Sequence, residues 1–255
     1  MAVEDNVRPL PKREGLRRGI YLLPKLITTG ALFAGFYSII AAMSEDLELA
    51  AIAIVIAGFL DALDGRIARL TNTQSEFGVQ YDSLSDLVAF GVAPAVLMFS
   101  WILSDLGKVG WLVAFLYMAC AALRLARFNT APDAKVFYGL ASPAAAGTLA
   151  TTVWTWSDNM GQAVGLELAV PLAIVTSLIA LLMVSNVRYY SPKHIDLNGR
   201  VPFFYMFVIV VLFGVIIVYP PGMLLLIGVV YIVTGPLTFL IRRKYPQASR
   251  SEAQH

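Results

Sequence analysis

The 255-residue sequence predicts an all-α membrane protein, a polytopic helical bundle with about eight transmembrane helices and both termini in the cytoplasm. Three observations carry this prediction. Hydrophobic residues make up 58% of the chain and charged residues only 14%, whereas about a quarter of the residues in soluble domains are charged. The apolar residues form runs close to the ~20 residues that cross a bilayer. The basic residues fall in every second connection between these runs.

The first four predicted spans alternate between acidic and basic connections. Span one (20–43) follows the basic stretch "RPLPKREGLRR" and no cleavage-site pattern, so we expect it to be its own anchor. Span two (48–70) follows "SEDLEL" and ends in "DALDGRIARL". Span three (79–103) carries two further Asp at its start and is apolar afterwards. Span four (109–127) follows "SDLGK" and ends in "RLAR".

The last four predicted spans are bounded in the same way. Span five (142–157) is the shortest and is rich in Ala, Gly and Thr. Span six (165–184) follows "SDNMGQ", and spans seven (201–218) and eight (221–241) are separated by "YPPG". The spans together predict three parts: a basic cytoplasmic segment (1–19), one transmembrane domain (20–241) and a cytoplasmic tail (242–255).

Basic side chains orient this bundle. Cytoplasmic loops are enriched in Lys and Arg, and Lys108 is the only basic residue of the alternate connections. The sequence therefore predicts an integral membrane protein whose basic connections face the cytoplasm. We expect the membrane to be a bacterial inner membrane, and we expect no role in binding nucleic acid. The basic residues that mark the cytoplasmic connections are Arg66, Arg69, Arg124, Arg127, Lys135, Arg188, Lys193 and Arg200.

An acidic motif, "DALDGRIARLTNTQSEFGVQYDSLSD" (61–86), joins spans two and three. Asp61 and Asp64 share one helix face, and Asp82 and Asp86 share another, because residues three or four apart lie on the same side of a helix. The stretch "TNTQSEF" predicts a turn, so that the two helices return antiparallel. The acidic faces should then meet near the cytoplasmic end of the bundle.

Four carboxylates near the end of a membrane-spanning bundle need partners that compensate their negative charge. An ionised side chain within a membrane is costly, and converging carboxylates repel one another. Divalent cations relieve both costs, and oxygen ligands suit Mg²⁺ or Mn²⁺. Two such ions are usual where carboxylates are shared during phosphoryl chemistry. The sequence therefore predicts a site for two Mg²⁺ or Mn²⁺ ions at Asp61, Asp64, Asp82 and Asp86.

Small residues accompany the acidic motif. Gly65, Ala68 and Gly78 remove side chains from the acidic faces and leave room for a ligand against the helix backbone. Arg69 can pair with a phosphate group in the same place. The alternative is that these small residues only allow close helix packing, as they often do in membranes.

The spacing of this motif is that of a known family. It reads D-x2-D-G-x2-A-R-x8-G-x3-D-x3-D, and it resembles the signature of the CDP-alcohol phosphotransferases, which are integral membrane enzymes. Further stretches resemble the branch of that family that uses serine: "DSLSDLVAFGVAP" (82–94), "ALRLARFN" (122–129), "GLASPAAAG" (139–147) and "VSNVRY" (184–189). One departure is Lys25, where family members often have Asn.

The resemblance implies a reaction and a set of roles. It implies transfer of the phosphatidyl group from CDP-diacylglycerol to L-serine with release of CMP, in a homodimer. Asp61, Asp64 and Asp82 would be metal ligands, with Asp86 at the edge of the metal site and acting as general base. Because no Ser, Cys or His lies beside a base, direct displacement is expected. The residues expected to bind CDP-diacylglycerol are Asp61, Gly65, Ala68, Arg69 and Gly78.

The acceptor requires a cationic pocket. Serine carries a carboxylate, and Arg124 and Arg127 lie one turn apart at the end of span four. Asn129 and Ser142 could hold its ammonium or hydroxyl group. The alternative is that both Arg residues anchor the chain to lipid headgroups. The basic residues that could line a path for the CDP-lipid headgroup are Lys135, Arg188 and Lys193.

Two other functions compete with serine transfer. The same chemistry with glycerol 3-phosphate or an inositol phosphate would need a more basic pocket, which the cytoplasmic Arg and Lys residues could supply. A divalent-cation transporter would use the four Asp for transport. Transport sites lie near the bilayer midplane, however, whereas this motif lies at the cytoplasmic end and includes Arg69.

Overall fold

The computed structural model describes residues 14–71, 75–130, 139–161, 165–187, 189 and 214–244, with side chains from residue 24 to residue 238. Every regular element in these ranges is a helix, and the predicted all-α class is confirmed there. Some predicted features lie outside the described residues: residues 1–13 of the basic segment, residues 201–213 of span seven, the tail beyond residue 244, and Lys135, Arg188, Lys193 and Arg200.

Eight helices, with a further helical stretch at 214–218, make up most of the described part of the chain. A π-helical turn at Leu87–Val92 joins the third helix to the fourth, and short 3₁₀ turns at Leu103–Leu106 and Leu166–Leu168 precede the fifth and seventh. The helices are α1 (Glu14–Met43), α2 (Leu47–Thr71), α3 (Glu76–Asp86), α4 (Ala93–Trp101), α5 (Lys108–Thr130), α6 (Ser142–Met160), α7 (Ala169–Val184) and α8 (Pro220–Lys244).

The turn between α2 and α3 is shorter than the sequence predicts. Helix α2 ends at Thr71, and α3 already begins at Glu76, so Glu76 and Phe77 belong to the helix and not to the turn. The cause is a local cap. The Ser75 side chain accepts a hydrogen bond from the Gly78 backbone N–H at 3.1 Å, which satisfies one of the free donors of the first helical turn.

Helices α3 and α4 form one continuous rod with a π-helical turn in its middle. The turn begins immediately after Asp86. The Phe90 carbonyl, whose usual donor four residues on would be Pro94, accepts a hydrogen bond from the Tyr117 hydroxyl at 3.2 Å. Single π-helical turns inside α-helices occur frequently at functional sites.

Small residues bring the helices close together. Helix α2 packs between α1 and α6, α6 also packs on α8, and α5 packs on α7. The buried side chains at these interfaces include Ala50, Ala57, Ala145 and Ala150, as expected where helices associate within a membrane. At Gly35 a β-carbon would lie 2.7 Å from Ala89 Cα, so only glycine allows α1 to approach the π-helical turn this closely.

The outer surface of the bundle is apolar, as in an integral membrane protein. Large hydrophobic side chains such as Phe33, Phe59, Trp111 and Leu123 are more than half exposed. Among the described residues, five helical stretches are long and apolar enough to cross a membrane: Pro24–Met43, Glu76–Trp101, Lys108–Thr130, Leu166–Val184 and Pro220–Thr238. The total of eight spans and the orientation of the termini stay predictions.

Candidate active site

Three carboxylates of the acidic motif meet between α2 and α3. Asp61, Asp64 and Asp82 each offer one oxygen, and these oxygens lie within 4.8 Å of one another. Asp64 is buried, and the other two are partly buried. We call these three residues the acidic triad. The helical register that the sequence predicts thus brings together three of the four expected metal ligands.

The acidic triad fits a divalent cation. Metal–oxygen distances of ~2.0–2.6 Å place ligand oxygens on opposite sides of one Mg²⁺ or Ca²⁺ ion about 4–5 Å apart. The spread of 4.8 Å in the acidic triad is of this size. All three donors are hard carboxylate oxygens, which favour Mg²⁺, Mn²⁺ or Ca²⁺ over softer metals. These residues could therefore hold a metal ion.

Asp86 lies beside the acidic triad rather than within it. Its carboxyl is within hydrogen-bonding reach of the Asp61 carboxyl. The Arg124 guanidinium of α5 also lies within electrostatic range of Asp86. Asp86 therefore interacts with the acidic triad and with a partly buried cation, and it lies one helical turn beyond Asp82 and directly before the π-helical turn.

Helix α1 contributes contacts that the sequence reading missed. The Thr28 hydroxyl lies 2.6 Å from Asp64 Oδ2, and the Thr29 hydroxyl lies 2.9 Å from the Tyr81 hydroxyl. Lys25 Nζ lies 4.9 Å from the centre of the Phe77 ring. The available signal was a pair of hydroxyl side chains in an otherwise apolar span, and it gives no partner by itself.

Arg69 folds back along its own helix. Its Nε donates to the Gly65 carbonyl at 2.8 Å, and a β-carbon at position 65 would lie 3.7 Å from Arg69 Nη2. The guanidinium therefore covers the backbone at Gly65, on the face where a ligand is expected, and the side chain is exposed. Ala68 and Gly78 are partly buried.

The four residues expected to bind serine separate into different places. Arg124 Nη1 donates to Ser142 Oγ at 2.7 Å, which joins α5 to the start of α6. Arg127 Nη2 instead donates to Asn186 Oδ1 at 2.9 Å, and the Asn129 amide donates to Ser83 Oγ at 2.9 Å. Arg124 and Ser142 thus form a pair, whereas Arg127 and Asn129 bind elsewhere.

Arg124 keeps an unused donor. Its Nε is buried and has no hydrogen-bond partner within the described part of the chain, although buried N–H groups are nearly always paired. The Tyr117 and Tyr231 phenols lie within electrostatic range of this guanidinium. Tyr231 belongs to α8 and packs on the Tyr189 ring, with the ring centres 5.4 Å apart.

An apolar groove adjoins the Arg124–Ser142 pair. It has a volume of about 430 Å³ and lies between α2, α6 and α8. Tyr231 and the two neighbours of Ser142, Ala141 and Pro143, line it. Small residues elsewhere along its walls keep the groove open: Gly58, Ala144, Gly147 and Gly228.

Comparison with known proteins adds independent evidence. The family model described as CDP-alcohol phosphatidyltransferase matches residues 21–175, which include the acidic triad, Asp86, Arg124 and Ser142. A CDP-diacylglycerol–serine O-phosphatidyltransferase of Helicobacter pylori (strain 26695) is 35% identical over 225 residues, covering 87% of this chain and 92% of the relative.

Two further relatives come from other organisms. A CDP-diacylglycerol–serine O-phosphatidyltransferase of Bacillus subtilis (strain 168) is 33% identical over 174 residues, covering 68% of this chain and 92% of the relative. An archaetidylserine synthase of Methanothermobacter thermautotrophicus (strain Delta H) is 34% identical over 170 residues, covering 66% of this chain and 69% of the relative.

Proposed function

Because the chain belongs to the CDP-alcohol phosphatidyltransferase family, we propose that it transfers the phosphatidyl group of CDP-diacylglycerol to the hydroxyl of L-serine, forming phosphatidylserine and CMP. The observation that carries this proposal is that Asp86 interacts with the acidic triad through Asp61 and with the Arg124–Ser142 pair through Arg124. Serine as the acceptor is supported by the names of the bacterial and archaeal relatives.

The acidic triad is the proposed metal site, with Asp86 at its edge. Divalent cations, two Mg²⁺ or Mn²⁺ ions in this proposal, supply charge neutralisation at the pyrophosphate and at the departing CMP oxygen. The carboxylates of Asp61, Asp64 and Asp82 would hold them, and the Thr28 hydroxyl donates a hydrogen bond to Asp64. The fit rests on donor chemistry and on the spacing of the three oxygens.

The nucleotide end of CDP-diacylglycerol is proposed to bind over the small residues of the acidic motif. Gly65, Ala68 and Gly78 give a ligand access to the helix backbone near the acidic triad. Arg69 already lies over Gly65, and its guanidinium offers further N–H donors that can reach a phosphate oxygen. In this role Arg69 orients the pyrophosphate.

The serine carboxylate is proposed to bind Arg124. The free, buried Nε of this partly buried side chain favours an anionic partner, and Ser142 holds the other edge of the guanidinium in place. Arg127 and Asn129, which the sequence also suggests, lie against Asn186 and Ser83 and would act from the edge of the pocket.

Asp86 is the proposed general base. A serine hydroxyl is a poor nucleophile until a positioned base takes its proton. If Arg124 holds the serine carboxylate, the hydroxyl of the same molecule can reach Asp86, since the Asp86 and Arg124 side chains interact. Asp86 accepts the hydroxyl proton as the serine oxygen attacks phosphorus, and the bond from phosphorus to CMP breaks in the same displacement.

The acyl chains of the lipid substrate are proposed to lie in the apolar groove between α2, α6 and α8. A phosphatidyl group brings its acyl chains to the same place as its phosphate. The groove begins at Ala141 and Pro143, which flank Ser142, and Tyr231 marks its polar end next to Arg124. Each methylene buried from water contributes about 0.8 kcal/mol.

One assay tests the proposed function. Purified protein is given CDP-diacylglycerol and Mg²⁺ or Mn²⁺, and the release of CMP is measured with serine, glycerol 3-phosphate, an inositol phosphate or no acceptor. The expected result is CMP release that depends on both metal and serine. Release of CMP with glycerol 3-phosphate but not with serine would contradict the choice of acceptor, and no release with any acceptor would contradict the reaction.

We also propose on which side of the membrane the reaction takes place and in which oligomeric state. We place the active site at the cytoplasmic side of a bacterial inner membrane because the basic residues flank the acidic end of the bundle, and we propose a homodimer on the family resemblance. Accessibility of a cysteine introduced at Ser75, beside the turn between α2 and α3, to a membrane-impermeant thiol reagent tests the orientation. Labelling from the outside of intact cells would contradict it.

A further inference from the structure

Helix α1 supplies no carboxylate to the acidic triad, yet Thr28 of α1 reaches it. The Thr28 side chain is only 7% exposed, and its Oγ1 lies 2.6 Å from Asp64 Oδ2. The same oxygen lies 3.0 Å from the Pro24 carbonyl, four residues earlier in the helix. Both neighbours are acceptors, so the single hydroxyl proton has a choice of two partners.

The hydroxyl proton goes to Asp64. Hydrogen bonds from a hydroxyl to an ionised carboxylate are short, about 2.5–2.7 Å, and roughly twice as strong as those between neutral groups. The distance to Asp64 falls within this range, whereas the distance to the neutral Pro24 carbonyl is 0.4 Å longer (3.0 − 2.6 Å). The bond therefore restrains the carboxylate rather than the helix backbone.

Thr28 also contacts the other acidic helix. Its backbone carbonyl accepts a hydrogen bond from Ser85 Oγ at 3.2 Å. Ser85 is 2% exposed and lies on α3 between Asp82 and Asp86. One residue of α1 thus binds α2 through its hydroxyl and α3 through its carbonyl, at the two helices that carry the acidic triad.

We propose that Thr28 is a positioning residue that holds the Asp64 carboxylate in register with Asp61 and Asp82 for metal binding. The proposal rests on the proposed function, since it takes the acidic triad to be the metal site. Three carboxylates whose oxygens lie within 4.8 Å of one another repel, and a carboxylate free to rotate would turn away from its neighbours. The Thr28 hydroxyl prevents that rotation.

The test measures metal binding by the purified full-length protein without substrate. Mn²⁺ is titrated and the free ion is followed by its electron paramagnetic resonance signal. Thr28→Val removes the hydroxyl and keeps the shape of the side chain, and it should weaken Mn²⁺ binding roughly 10- to 100-fold, the usual cost of losing a partner of a ligating residue. Thr28→Ser restores the hydroxyl and should bind Mn²⁺ like the unaltered protein.

The chain offers a matched control in the next residue. Thr29 is on the same helix, and its hydroxyl contacts the Lys25 carbonyl and Tyr81 instead of a carboxylate of the acidic triad. Thr29→Val should leave Mn²⁺ binding unchanged. An equal loss in Thr28→Val and Thr29→Val would mean that either substitution only disturbs α1, and it would overturn the proposal.

Asp64→Asn distinguishes a failure of the proposed metal site from a failure of the proposed role of Thr28. If Asp64→Asn binds Mn²⁺ normally, the acidic triad is not the metal site and the proposed function fails first. If Asp64→Asn loses Mn²⁺ while Thr28→Val binds it normally, only the role of Thr28 is wrong. Should Thr28→Val not fold, by circular dichroism and gel filtration, Thr28→Ala carries the same expectation. Failure of both to fold would make Thr28 a structural residue and overturn the proposal.

Discussion

The two halves of the active site are built in different ways. The acidic half takes all its carboxylates from two consecutive helices, so one hairpin and the helical repeat suffice to bring the acidic triad together. The basic half joins Arg124 of α5 to Ser142 of α6, and Tyr231 of α8 lies nearby. Its geometry therefore depends on how three helices pack, rather than on a local motif.

The two halves also differ in charge. The acidic half is suited to hold cations and, through them, a pyrophosphate. The basic half offers a guanidinium with a free Nε, which suits a carboxylate. Asp86 is within hydrogen-bonding reach of Asp61 in the acidic half and within electrostatic range of Arg124 in the basic half. We therefore expect substitutions in the acidic half to remove the chemistry, and substitutions in the basic half to change the affinity for the acceptor.

The largest effect is expected within the acidic half. Asp64→Asn removes an anionic ligand and should abolish turnover and metal binding, a greater loss than the roughly 10- to 100-fold that follows from losing an outer partner. Asp61→Asn and Asp82→Asn should behave alike. CMP release and Mn²⁺ titration measure both properties. The control is Asp105→Asn, which alters an exposed carboxylate in the turn before α5.

Asp64 is the most sensitive position for this test because it is the buried member of the acidic triad. Activity of Asp64→Asn close to that of the unaltered protein, at ordinary metal concentration, would contradict the metal assignment. The acidic half would then have no role distinct from packing.

Substitution of Asp86, which interacts with both halves, should affect turnover and lipid binding differently. Asp86→Asn removes the proposed base and should lower kcat roughly 10²- to 10⁴-fold, the usual contribution of a positioned proton transfer. Binding of CDP-diacylglycerol should remain, because the acidic triad is intact. Turnover and lipid binding are measured separately. If both disappear together, Asp86 is chiefly a metal ligand and the base lies elsewhere.

Much of the acidic half could be predicted from the sequence. Carboxylates three and four residues apart lie on one helix face, and the hairpin follows from the short connection between α2 and α3. The contact between Thr28 and Asp64 could not be predicted, because it joins residues 36 positions apart through the packing of α1 on α2. Periodicity gives the face of a helix but not the neighbour that covers it.

The basic half was only partly predictable for the same reason. The sequence suggests Arg124, Arg127, Asn129 and Ser142 together, since three of them follow one another along α5. Arg124 and Arg127 are three residues apart, but one bonds Ser142 and the other Asn186. The side to which each side chain turns depends on α6 and on the segment after α7. Those interactions are tertiary, and no pattern in the sequence encodes them.

This difference between the two Arg residues can be sharpened by experiment. Arg124→Ala should raise the KM for serine roughly 10- to 100-fold, the cost of one hydrogen bond to a charged group, and leave the KM for CDP-diacylglycerol nearly unchanged. Arg127→Ala is the matched comparison and should have the smaller effect on serine. An equal rise in both KM values for Arg124→Ala would indicate a general role in folding or lipid anchoring.

The smallest expected effect concerns the apolar groove beside the basic half. Gly147 lines this groove, and a β-carbon built there meets no other atom within 4 Å, so we expect the ring of Gly147→Trp to enter the groove. If an acyl chain lies there, we expect the Trp ring to displace about two of its methylenes, at a cost of about 1.6 kcal/mol. The kcat/KM for long-chain CDP-diacylglycerol should then fall roughly tenfold. A substrate with short acyl chains should be much less affected.

The control is Val109→Trp, which fills a second apolar groove between α5 and α7 and should leave kcat/KM for both substrates unchanged. Equal losses with long and short chains would mean that the substitution disturbs α6 itself, and no loss with either would mean that the acyl chains lie outside the groove.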